Sequence, residues 1–324
     1  MNQKLLIGTY SKTGIYELEF DGNYLKQTNS NTNFENCSFL CKNNNLIYSA
    51  VEYSNNADYS NGLLLTRNSD LKVINSSTVL GKSPCHITLD TSKKLLYISN
   101  YEDGSLNIFS LNSDNTINDL IYHKTYTPKS HIHYTAVSNN VLFVVDLGDN
   151  KLFAYEIINN DSNFDLKELA FYSFPENSGP RHLVLNQNNI YIVTENSCEL
   201  YHLMFSQENQ FVFMNKISIL PSNTIKAEND TGCAIKLSND SNFIYTSIRG
   251  NNSISVFDTS LNLIQNISCF GNTPRDISFD ATQNFMFCAN QNSSNISIFK
   301  RDKKTGHLLF QSKYPINSPA CIIL

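Results

Sequence analysis

Gly179-Pro180-Arg181-His182-Leu183-Val184-Leu185 passes through the polar turn Asn186-Gln187-Asn188-Asn189 into Ile190-Tyr191-Ile192-Val193-Thr194-Glu195. Two short apolar runs separated by turn-forming residues read as an antiparallel hairpin. The open ends of a hairpin lie side by side, so Arg181, His182 and Glu195 are expected together on one edge of a sheet.

The same unit recurs along the chain. Its openings include Asn36-Cys37-Ser38-Phe39, Ser83-Pro84-Cys85-His86, Ser130-His131-Ile132-His133, Thr231-Gly232-Cys233-Ala234, Thr273-Pro274-Arg275-Asp276 and Ser318-Pro319-Ala320-Cys321. The second residues fall at 37, 84, 131, 180, 232, 274 and 319, spaced by 47, 47, 49, 52, 42 and 45. A period of roughly 40–50 residues with four short strands per unit is the signature of a β-propeller. In the second unit three strands lie near 87–89, 95–99 and 106–110, followed by a weaker fourth. Ile254-Ser255-Val256-Phe257 and Ile296-Ser297-Ile298-Phe299 are matching third strands.

Seven openings predict seven blades. The seventh has room only for a first strand, and three short strands near 4–10, 15–20 and 24–28 precede the first opening. The last strand is therefore expected to join these three and close the ring, which removes two exposed sheet edges. The expectation is an all-β, seven-bladed propeller forming one domain over residues 1–324.

Composition narrows the function. The chain of 324 residues is 41% hydrophobic and 16% charged with a net charge of −5. That balance lacks the basic footprint of a nucleic-acid partner. No apolar run reaches the roughly 18 residues that span a bilayer, so no membrane partner is expected. Met1-Asn2-Gln3-Lys4 leads straight into Leu5-Leu6-Ile7, which is not a signal peptide pattern. Eight cysteines without a secretory signal read as reduced thiols, and the expected location is cytoplasmic.

The start of each first strand and the end of each second strand share one face of the ring. One column of the repeat then holds Ser38/Phe39, Cys85/His86, Ile132/His133, Arg181/His182, Cys233/Ala234, Arg275/Asp276 and Ala320/Cys321. The other holds Tyr10, Glu52, Tyr101, Leu147, Glu195, Arg249 and Gln291. Three of the five Arg and three of the seven His fall in these columns. An acidic protein thus gathers guanidinium groups at the mouth of one channel, and their rigid forks suit phosphate or carboxylate oxygens.

Arg181, Glu195, Arg249 and His133 are the catalytic candidates; His86, His182, Arg275 and Glu52 are candidates for substrate binding. Structural roles compete with these. Arg–Glu pairs can be purely architectural. Arg275 next to Asp276 could form a local ion pair. His182 adjoins Arg181, and neighbours on a strand point opposite ways. A polar loop, residues 53–61, follows Glu52.

Other motifs are weak. His131-Ile132-His133 could present two imidazoles on one face, but no third ligand is placed with them, and Cys37 with Cys41 does not make a zinc half-site. There is no Gly-x-Ser-x-Gly elbow and no phosphate-binding Gly-rich loop. Neither a metal nor a cofactor is expected.

The blade openings Ser83-Pro84-Cys85-His86-Ile87, His131-Ile132-His133, Gly179-Pro180-Arg181-His182 and Thr273-Pro274-Arg275-Asp276 resemble those of the seven-bladed lactonase propellers. So do Asp146-Leu147-Gly148-Asp149, Thr194-Glu195-Asn196-Ser197, Ile248-Arg249-Gly250-Asn251 and Asn290-Gln291-Asn292-Ser293. The similarity runs in order along essentially the whole chain. It implies metal-independent chemistry on a small anionic lactone. The family's pattern of His, Arg, Glu and Arg falls here on His133, Arg181, Glu195 and Arg249. Where members carry Asn before that Glu and that Arg, this chain has Thr194 and Ile248, and Tyr134 stands where Ser is common. The implied activity is hydrolysis of 6-phosphoglucono-1,5-lactone in the oxidative pentose phosphate route. Another lactone or a muconate-like diacid is the second reading, and a non-catalytic propeller binding a sugar phosphate or a protein the third.

Overall fold

The computed structural model describes residues 2–53, 62–160 and 163–324. Among them, 28 strands form seven antiparallel four-stranded sheets, and no helix is present. From residue 54 to 61 the polar loop after Glu52 lies outside the described residues. Among the described residues no helix is long and apolar enough to cross a membrane.

Six sheets take four consecutive strands each, such as β4 (Cys37–Asn43), β5 (Leu46–Val51), β6 (Leu63–Arg67) and β7 (Val73–Thr78). The seventh has the order β28 (Pro319–Ile323), β1 (Gln3–Thr9), β2 (Ile15–Phe20), β3 (Leu25–Asn31). The last strand thus completes a sheet begun by the first three, as the repeat predicts. First strands of neighbouring sheets touch all the way round. β28 meets β4, β4 meets β8 (Pro84–Asp90), and β8 meets β12 (Ile132–Ser138). The circuit continues through β16 (Pro180–Asn186), β20 (Thr231–Leu237) and β24 (Pro274–Phe279) back to β28. Seven sheets in a closed circuit, first strands innermost, make a seven-bladed propeller.

The apolar clusters lie between blades. One joins Tyr48, Ala50 and Leu64 of one blade to Ile87, Leu96 and Phe109 of the next. Another joins Tyr245 and Val256 to Ile277, Met286 and Phe299. Each fully buried large apolar side chain contributes about 1.5–3 kcal/mol, so every blade depends on its neighbours. Tyrosines on second strands add a polar tie. The hydroxyls of Tyr48, Tyr191 and Tyr245 donate to the carbonyls of Asn115, Thr259 and Gly306, each in an outer turn of the following blade.

Fourth strands are more substantial than the sequence pattern suggests; β11 (Ile117–Thr125) and β15 (Asn163–Ser173) span nine and eleven residues. They lie at the rim and are mostly exposed or half-buried, so water relaxes the strict apolar alternation that marks inner strands.

One local device sets the channel. In every blade the register between first and second strand slips by one residue at the same place. Pro180 pairs with Thr194 but His182 with Val193, leaving Arg181 as the extra residue of a β-bulge. Equivalent bulges leave Ser38, Cys85, His133, Arg275 and Ala320 unpaired. A bulge bends its strand and re-aims a side chain, here toward the channel.

Candidate active site

Two sets of backbone positions build the site. Bulge residues supply Cys85, His133, Arg181 and Arg275; the ends of second strands supply Glu52, Tyr101, Glu195 and Arg249. These eight side chains line one cavity of about 190 Å³. A backbone hydrogen bond closes the hairpin beside it, from the Glu195 N–H to the Gly179 carbonyl. Gly179 has φ of 63°, the left-handed region that glycine adopts at no steric cost. Tyr101 and Glu52 bond in the same way to the carbonyls of Ser83 and Asn36.

Glu195 is the hub of the charges. Its Oε2 accepts from Arg181 Nε and from Arg249 Nη2, each at 2.8 Å. Burial alone would raise this carboxyl, but the guanidinium groups of Arg249, Arg181 and Arg275 outweigh it and hold it below its ordinary value. Arg181 is further committed: Nη1 lies 3.0 Å from the Cys233 carbonyl and 3.0 Å from His182 Nε2. Arg249 keeps a buried Nε with no partner.

A second chain of contacts occupies the other wall. Arg275 donates from Nη2 to the Tyr10 hydroxyl at 2.5 Å, and Tyr10 donates to Glu52. The Arg275 guanidinium also lies over the Tyr10 ring, 4.6 Å from its centroid. Three guanidinium groups therefore face two carboxylates, an excess of one positive charge that favours an anionic guest.

His133 sits among these groups. Burial first, then the positive charges of Arg181 and Arg275, lower its pKa well below the usual imidazole value. It is neutral at pH 7, and its buried Nδ1 has no hydrogen-bond partner. Tyr101 meets it edge-on with ring centroids 5.7 Å apart.

Six of the eight sequence candidates line the cavity: His133, Arg181, Glu195, Arg249, Arg275 and Glu52. His86 and His182 lie one layer deeper. The His86 ring packs on Tyr134 at 3.8 Å, and the His182 ring lies 4.8 Å from Tyr134 and 5.1 Å from His133. His86 and His182 are 6.2 Å apart although their blades are not neighbours, so they meet across the channel.

One sequence expectation is corrected. Arg275 does not pair with Asp276, whose carboxylate accepts from the backbone N–H groups of Ile277 and Ile322 and approaches Lys236 at 4.0 Å. The bulge turns the two side chains apart. His131 and His133 both pack against Tyr101, the first stacked at 4.6 Å with its Nδ1 bonded to the Tyr101 carbonyl and the second edge-on at 5.7 Å. Among the described residues no group of three or more His, Cys, Asp or Glu is placed to hold a metal. Sequence reasoning passed over Tyr10, Tyr101 and Cys85, although Tyr10 and Tyr101 stand in the same repeat column as Glu195.

Comparison with known proteins agrees with this architecture. The sequence model of one family, described as "Lactonase, 7-bladed beta-propeller", matches residues 4–324. The chain belongs to the seven-bladed β-propeller lactonase family. Within it, a protein named 6-phosphogluconolactonase from Bacillus subtilis is 28% identical over 342 residues, covering 98% of this chain and 96% of the relative. A protein of the same name from Formosa agariphila is 30% identical over 262 residues, covering 74% and 72%. Among solved structures, the periplasmic gluconolactonase PpgL of Pseudomonas aeruginosa superposes with a TM-score of 0.91 at 22% identity, over 100% of this chain and 99% of its own. At that identity the likeness is one of fold.

Proposed function

We propose that this lactonase-family propeller hydrolyses a small anionic lactone without a metal, and that 6-phosphoglucono-1,5-lactone is its substrate. The observation that carries this reading is the meeting of a neutral imidazole, His133, with three guanidinium groups in one small cavity. The volume lies below the ~300–1,000 Å³ of sites for drug-sized ligands and suits a single sugar ring. The names of the Bacillus and Formosa relatives support the phosphorylated substrate. Eight unpaired cysteines support a cytoplasmic setting.

Hydrolysis requires water to add to the carbonyl carbon and the ring oxygen to leave. In the proposed mechanism Arg181 and Arg249 donate to the oxyanion that forms as water adds. His133, neutral and lining the cavity, takes a proton from that water. The tetrahedral intermediate collapses, the bond from carbon to ring oxygen breaks, and the imidazolium returns its proton to the departing alkoxide. Glu195, held between two guanidinium groups with its pKa lowered, is a poor base and acts by orienting both forks. Arg275, tied to Tyr10, binds the substrate's phosphate.

The test is an acid-release or hydroxamate assay on freshly prepared 6-phosphoglucono-1,5-lactone beside unphosphorylated gluconolactone, with and without a chelator. The reading requires faster turnover of the phosphorylated lactone and activity that survives chelation. No turnover of any lactone, with the phosphorylated acid still bound, would favour a non-catalytic sugar-phosphate binder.

A further inference from the structure

His182 touches none of the cavity's open space, yet it bonds the residue on which the proposed chemistry depends. Its Nε2 lies 3.0 Å from Arg181 Nη1. A guanidinium has donors only, so that contact defines the imidazole: Nε2 must carry a lone pair, and the ring is neutral with its proton on Nδ1. The rest of Arg181 is equally constrained, Nε by Glu195 and Nη1 also by the Cys233 carbonyl. Only Nη2 is left for a guest.

We propose that His182 is a positioning residue that locks the Arg181 fork, so that Nη2 alone faces the substrate oxygen. This rests on the lactonase reading for its chemistry but not for its geometry. The groups facing His182 are Arg181 on its own strand, His133 and Tyr134 on β12, His86 on β8 and Lys236 on β20. None of these is a carboxylate. Burial, followed by the charge of Arg181, pushes the imidazole well below its usual pKa, which keeps the accepting lone pair available at neutral pH. The aromatic neighbours fix the plane of the ring, so the lone pair has one direction.

A Gln side chain reaches as far as Nε2 and ends in an acceptor oxygen, whereas Phe keeps the ring packing and loses the acceptor. His182→Phe is therefore expected to lower kcat/KM about tenfold, the usual cost of orphaning one donor of a charged hydrogen bond, with most of the loss in kcat because Arg181 serves the oxyanion. His182→Gln should return kcat/KM to within about threefold of wild type. Sulfate, titrated calorimetrically into each purified protein, reads the same fork without catalysis; its affinity should fall with Phe and recover with Gln. Melting curves establish that each variant is folded, and His182→Ala replaces Phe if the larger ring is not accommodated. Wild-type kcat/KM and sulfate affinity in folded His182→Phe, or Gln failing as badly as Phe, would overturn the assignment. A wild-type protein that binds sulfate but turns over no lactone would count against the lactonase reading alone, and the sulfate series would still decide the role of His182.

Discussion

Arg275 lies over the Tyr10 ring, its guanidinium 4.6 Å from the ring centroid and its Nη2 2.5 Å from the phenolic oxygen. The phenol in turn donates to Glu52. One tyrosine thus links a cation and an anion across three blades, and it holds the arm assigned to the substrate's phosphate.

Tyr10→Phe keeps the ring under Arg275 and removes only the hydroxyl. The hydroxyl carries two hydrogen bonds, one from Arg275 and one to Glu52; losing the first, which sets the phosphate-binding fork, costs about 1 kcal/mol, so KM for the phosphorylated lactone should rise about fivefold while kcat stays nearly constant. Steady-state kinetics on phosphorylated and unphosphorylated lactone separate the two ends of the site. An equal rise of KM for both would place the phosphate elsewhere.

His133→Ala should lower turnover by about 10²–10⁴-fold, the usual contribution of general acid–base catalysis, with the fold intact. The pH profile carries a sign as well. Burial and the neighbouring guanidinium groups lower the pKa of His133 from 6.5, so wild-type kcat/KM should hold as pH falls through 6.5 and decline only below it. An acid limb above that value would remove His133 as the base.

Glu195→Gln tests the hub by stability. The folded pKa of Glu195 lies below its ordinary 4.5 because three guanidinium groups outweigh burial. A carboxyl lowered on folding stabilises the fold above its unfolded pKa and loses that contribution as pH falls through the folded one. The stability gap between wild type and Glu195→Gln should be widest above about pH 5 and close toward about pH 3. Urea unfolding at stepped pH measures it, and a gap that widens on acidification would contradict the ion-pair geometry. Turnover by the variant should fall at every pH, since neither fork keeps its anchor.

Removing residues 319–324 deletes β28, the innermost strand of its blade, together with the Ile322 N–H that satisfies Asp276. A domain holds only about 5–15 kcal/mol of stability, and this strand packs buried Ala320, Cys321 and Ile322 against its neighbours. The truncated chain should lose its cooperative thermal transition. Melting within a few degrees of wild type would show that the circuit closes without it.

Much of this architecture is legible in the sequence because propeller blades repeat. Seven openings at a steady period reveal the blades, and a lone seventh first strand with three spare strands at the other end reveals the closure. The repeat columns likewise bring Arg181, Glu195, Arg249 and His133 together, since equivalent positions in equivalent hairpins share a face. What alternation cannot disclose is the bulge. It has no compositional mark, for its residue is Ser38 in one blade, Arg181 in another and Ala320 in a third. Yet it decides that Arg181 and His182 both face the channel, and that Arg275 and Asp276 part company. The Arg275–Tyr10–Glu52 chain was hidden for another reason. It joins residues 265 positions apart through side-chain reach, which a column assigns to a face but not to a partner.

The bulge recurs whatever side chain occupies it, so the backbone treats these positions as interchangeable sockets. Ser38 and Ala320 are, in that sense, seats filled with small residues on a rim whose other seats hold imidazole, thiol and guanidinium. Both are buried, so a larger group installed there would have to displace what now packs against it. The frame thus fixes where these positions stand round the ring, and the residue seated at each decides whether it offers the channel a reagent or only fills space.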